Sequence, residues 1–151
     1  MNRTMLDKSK ITTKLSFLLN IGYQIYVNHL EKKNSISFIN TKTDREIEFI
    51  YSDESNFISP NLFNKNRFGI YVYNNLKDIN HRGLIIFTNY IELNKKIKDA
   101  NQLTSLNYYE GTFDQKLDQF LDFIYTIFTT DLKGVIEGRE WIEVDNWHPY
   151  K

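Results

Sequence analysis

Residues 35–52 read SISFINTKTDREIEFIYS, and their patterning decides the fold. In the first six, Ile36 and Phe38 fall on one side of an extended chain. In the last eight, Ile47, Phe49 and Tyr51 share one face and Glu46 and Glu48 the other. A period of two is that of a half-buried strand. Between the two runs stands only the polar stretch TKTD, residues 41–44. A connection that short joins antiparallel neighbours, so the segment is a hairpin.

Working outward, the same alternation recurs on both sides. Upstream, YQIYVNHL (23–30) puts Tyr23, Ile25 and Val27 on one face, and EKKN (31–34) reads as a turn. Downstream, a longer loop, DESNFISPNLFNKN (53–66), leads to RFGIYVYN (67–74), with Phe68, Ile70 and Val72 on one side. The turn NLKDINHR (75–82) then leads to GLIIFTNYIEL (83–93). The expected sheet is an antiparallel meander of about five strands. Its second face carries Tyr26, Ile39, Ile50, Tyr71, Tyr73 and Phe87. A solvated face should be mostly polar, so a cover is expected: the NFISPNLF loop, the C-terminal tail or another molecule.

Helical spacing brackets the strands. Leu6, Ile11, Leu15, Leu18 and Leu19 predict one amphipathic helix over residues 6–19, stopped by Gly22 in a left-handed conformation. Thr112 and Gln115 form a T-x-x-Q capping box. Phe113, Leu117, Phe120, Leu121, Ile124 and Phe128 follow at helical spacing. Asp131 is a candidate cap for a further turn that Gly138 ends, and NKKIKDANQLTSL (94–106) is a candidate short helix. The expectation is therefore an α+β domain spanning residues 1–151, with its first few residues disordered. An N-terminal helix precedes the sheet and a long C-terminal helix packs on one face. The tail GREWIEVDNWHPYK holds both tryptophans. It should be ordered, with Trp141 largely buried as an anchor and Trp147 and His148 more exposed.

Composition bounds the chemistry. The 151 residues are 41% apolar and 15% aromatic, enough to offset ordering entropy. The absence of cysteine excludes disulfides, thiolate metal sites and a cysteine nucleophile. No apolar run is long enough for a membrane span, and the expected location is the cytoplasm. A formal net charge of zero argues against a general nucleic-acid binder. The charge is uneven: residues 101–151 hold four Lys/Arg and nine Asp/Glu, residues 1–50 eight and five.

No catalytic motif stands out. His29, His81 and His148 lack metal-ligand spacing, the six glycines form no phosphate loop, and no cofactor or metal is expected. Asp114, Asp118 and Asp122, spaced i, i+4, i+8, form one stripe on the C-terminal helix. Taken alone, such a stripe repels itself and can steer a cationic partner. Tyr71 and Tyr73 on one strand have the form of a stacking platform, without a basic groove gathered beside them in the sequence.

FLLNIGYQI, ISFINTKTDREIEFIYS and VIEGREWIEV, taken as helix–glycine–strand, meander and helix exit, resemble small bacterial immunity proteins of polymorphic or contact-dependent toxin systems. The resemblance implies a protein that binds one toxin and masks its active site, with no catalytic residues of its own. Nuclease inhibitors of that kind are usually strongly acidic, and this neutral chain departs from them. The expected function is a non-enzymatic protein-binding module. Its candidate partner-binding residues are Asp114, Asp118, Asp122, Tyr71, Tyr73, Trp147 and His148. A toxin-like protein is the expected partner, and homo-oligomerisation stays open. The alternative is a small enzyme or ligand binder with a pocket between sheet and C-terminal helix.

Overall fold

The computed structural model describes residues 6–28, 35–52, 67–74, 84–85 and 105–141. The chain is α+β. Helix α1 (Lys8–Lys14) and the short α2 (Phe17–Asn20) lead into an antiparallel meander. Its strands are β1 (Gln24–Asn28), β2 (Ser35–Asn40), β3 (Arg45–Ser52) and β4 (Arg67–Asn74), each hydrogen-bonded to the next in sequence. Two further residues, β5 (Leu84–Ile85), pair with Val72 and Tyr71 of β4. After a 3-10 turn at Leu106–Tyr108 come the long helix α3 (Phe113–Thr129) and the short α4 (Lys133–Ile136).

The register follows the alternation in the sequence. Phe38 stands opposite Ile47, Ile47 opposite Val72, and Phe49 opposite both Ile36 and Ile70. All of these are buried, with Tyr51 and Phe68, on the face that α3 covers. Leu117, Phe120, Leu121, Ile124, Ile127 and Phe128 of α3 meet them. The Phe68 and Phe120 rings stack 4.6 Å apart, and Tyr51 meets Phe113 edge-on at 4.9 Å. Each such side chain contributes about 1.5–3 kcal/mol by leaving water. This shared layer, rather than helix propensity, holds α3 against the sheet.

Local chemistry fixes the ends of the elements. The Thr112 hydroxyl accepts from the Gln115 amide, and the Gln115 side chain accepts from the Thr112 amide, completing the capping box. The β2–β3 turn is set by Asn40, whose Oδ1 accepts from the Lys42 and Thr43 amides while its Nδ2 donates to the Ile21 carbonyl. Gly22 ends the N-terminal helical region at φ 108°. A β-carbon there would sit 3.1 Å from Asn40 Nδ2, so the turn needs glycine for space as well as conformation.

Three expectations need correction. The N-terminal helix is broken at Leu15–Ser16, where i→i+3 bonds from Leu18 to Leu15 and from Leu19 to Ser16 tighten the chain. The break lets Ile11, Leu15 and Leu18 all reach full burial before the chain turns into β1. Asp131 does not cap α4, which starts from Leu132 without a side-chain cap. Trp141 is half-buried against the core rather than largely buried. Of the expected last strand only Leu84–Ile85 is described. The candidate helix at residues 94–106 is described only from Ser105, and the NFISPNLF cover, the EKKN turn and Phe87 lie outside the described residues.

A candidate partner-binding surface

The outer face of the sheet is built by the same pleat that makes the core. Because Ile47 and Phe49 point inward, Glu46, Glu48 and Ile50 point outward. They are joined there by Ser37 and Ile39 of β2 and by Tyr71 and Tyr73 of β4. The pairing sets Glu48 directly opposite Tyr71 and Glu46 opposite Tyr73. The two tyrosine rings lie nearly parallel, 6.3 Å apart. The Tyr73 hydroxyl donates to Glu48 Oε1 at 3.1 Å. Burial, reinforced by the Glu48 and Glu46 carboxylates, holds the Tyr73 phenol well above its usual range, so it stays a donor.

This face is not an ordinary wetted one. Glu48 is 6% exposed and Ser35 1%, while Ile39, Ile50, Tyr71 and Tyr73 are half-buried. Arg67 stands at the start of the same strand, and burial pulls its guanidinium below its usual range while Tyr71 opposes the shift. Two carboxylates thus face the tyrosine pair across the strands. Carboxylates beside aromatic rings disfavour a phosphate backbone and favour a cationic side chain over an aromatic face.

The acidic stripe lies on α3, beside α1. Lys10 Nζ donates to Asp118 Oδ2 at 3.1 Å and lies 3.9 Å from Asp114; Lys14 Nζ donates to Asp122 Oδ1 at 2.8 Å and lies 3.9 Å from Asp118. The three carboxylates therefore alternate with two ammonium groups of the same chain. The hydrogen bond to Asp122 holds the Lys14 ammonium above its usual range. Asp114 and Asp122 remain about two-thirds exposed, at 68% and 66%.

A buried charge lies at the other end of the sheet. Arg45, 4% exposed, donates from Nε to the Val135 carbonyl at 3.0 Å and from its terminal nitrogens to the carbonyls of Glu140 at 2.8 Å and Thr43 at 3.4 Å. The Tyr23 hydroxyl donates to the Ile136 carbonyl at 2.6 Å. Together they satisfy carbonyls at the end of α4. This is a clasp on backbone, with no group poised for chemistry.

The structure thus brings Tyr71 and Tyr73 together on the outer face and gathers Asp114, Asp118 and Asp122 on α3. Trp147, His148, His29 and His81 lie outside the described residues. Glu46 and Glu48, which the period-two alternation of β3 already sets on this face, join the surface together with Arg67, although none of the three is among the expected partner-binding residues. Among the described residues no group of three or more His, Asp or Glu is placed to hold a metal ion. No helix there is long and apolar enough to cross a membrane. Comparison with protein-family models, curated proteins and solved structures finds no match.

Proposed function

We propose that the chain is a non-enzymatic protein-binding module of the immunity type, which docks on a cognate toxin and masks it. The observation that carries this reading is the Tyr71–Tyr73 pair opposite Glu48 and Glu46 on the outer sheet face. Tyrosines flanked by carboxylates supply large, orientable anchors for a partner that presents Lys or Arg. The exposed Asp114 and Asp122 extend the acidic character to a second surface and steer the same kind of partner. In this reading the sheet runs on as a fifth strand beyond Ile85, and the tail after Trp141 is ordered, offering Trp147 and His148. The protein acts in the cytoplasm.

The alternative, a pocket between sheet and C-terminal helix, is less well supported. Along the described strands that space holds Phe38, Phe49, Phe68, Phe120 and Ile124, all 2% exposed or less. The test is co-expression with the toxin-like reading frame beside its gene, scored by host growth and co-purification. Rescue of growth with a stable complex is the expected result. Absence of such a reading frame, or growth arrest despite equal expression, contradicts the proposal.

A further inference from the structure

Among the described residues, six large hydrophobic side chains are exposed, and four of them, Leu19, Ile21, Tyr26 and Val27, lie along the segment from α2 through its C-cap to β1. β1 ends the sheet order, pairing with β2 on one side and with no described strand on the other. Natural edge strands are usually guarded by lysine, proline or a bulge. β1 reads Gln-Ile-Tyr-Val-Asn, with no charge and no proline, and it pairs with β2 residue for residue without a bulge.

The sequence of this edge also says what fits it. Read in either direction, it runs amide, β-branched, tyrosine, β-branched, amide. An antiparallel pairing about a twofold axis at Tyr26 therefore sets like against like. Gln24 of one copy faces Asn28 of the other, Ile25 faces Val27, and Tyr26 faces Tyr26. β-Branched and aromatic cross-strand pairs of this kind stabilise a sheet. A charged partner finds no counter-charge along β1, whereas a second copy matches it in charge and in pattern. We propose that β1 is the seam of a homodimer in which two sheets join edge to edge. The antiparallel arrangement brings the end of each β1 that follows Leu19 and Ile21 toward the Val27 end of the other copy. Such an isologous seam closes on itself and does not propagate. It uses neither Tyr71 nor Tyr73, so it is independent of the function proposed above.

Sedimentation velocity of the full chain, from about 1 μM to about 200 μM, tests it. The expected result is a reversible shift from the 18.1 kDa monomer to a species of twice that mass. Tyr26→Lys sets two ammonium groups at the axis, and Val27→Lys charges both flanks. Each should raise the dimer dissociation constant about tenfold or more, with the thermal midpoint unchanged at a concentration where the wild type is monomeric. If a lysine variant lowers the midpoint, Tyr26→Thr, which keeps strand propensity, should still weaken the dimer several-fold. A monomer throughout the wild-type range, or a dimer that persists unchanged in the folded variants, overturns the proposal.

Discussion

The Arg45 guanidinium lies over the ring of Trp141, 5.0 Å from its centroid. Ninety residues of sequence separate Arg45 from its acceptor Val135, so the clasp ties the start of β3 to the last helix. Burial pulls the Arg45 pKa down, opposed by Tyr23 and Asp44, yet backbone carbonyls and the ring compensate the desolvated charge. Arg45→Ala should destabilise the fold by about 3 kcal/mol, since it leaves buried carbonyls without donors. Arg45→Lys should recover only part of that, because an ammonium cannot reproduce the fork. Urea unfolding of both variants reads the difference; equal stability of all three proteins would refute the clasp.

Trp141 should matter less than a core aromatic because it is half-buried. Trp141→Ala is expected to cost about 1–2 kcal/mol, from lost apolar area and the cation–π contact. Truncation after Gly138 also removes the Glu140 carbonyl from Arg45 and should lower the thermal midpoint by several degrees. A truncated chain that melts like the full one would show that the tail contributes nothing to the fold.

Gly138 adopts φ 83°, and a β-carbon there would fall 2.5 Å from Cβ of Thr43 in the β2–β3 turn. Gly138→Ala combines a strained backbone with a clash, and a loss of about 1–3 kcal/mol is expected. Adding Thr43→Gly should restore part of it by removing the clash. A double variant no more stable than the single one would locate the strain elsewhere.

Alkaline pH should weaken the fold. Burial raises the phenol pKa of Tyr23, Tyr73 and Tyr109, in Tyr73 with help from Glu48. In the unfolded chain these groups ionise at about pH 10. Their folded values lie higher, so the stabilisation is complete below about pH 10 and is lost as pH rises toward the folded values. Urea unfolding between about pH 8 and pH 11 should show a falling midpoint, with buried phenols titrating late by ultraviolet absorbance. A flat stability profile would mean that these phenols are accessible.

The strand faces were legible because a period of two leaves little choice of register once one face is apolar: every described inward residue from Ile36 to Val72 falls where the alternation put it. The capping box and the stop at Gly22 were legible because both signals are local. Arg45 was not, because a charge beside a turn looks solvated until its distant acceptors are known. The Asp114–Asp118–Asp122 stripe looked purely repulsive for the same reason, since Lys10 and Lys14 approach from residues about a hundred positions earlier. Exposed pairs of this kind contribute about 1 kcal/mol or less each. Lys10→Ala with Lys14→Ala should therefore change stability little and make the stripe more attractive to a basic partner, an effect that salt removes.

The proposed docking of a cationic protein surface on the outer sheet face rests on Tyr71 and Tyr73. Titration calorimetry of the co-purified partner against wild type, Tyr71→Ala and Lys10→Ala isolates that contribution. Tyr71→Ala should weaken binding about thirtyfold or more, while Lys10→Ala leaves it equal or tighter. Unchanged affinity for a folded Tyr71→Ala variant would contradict it.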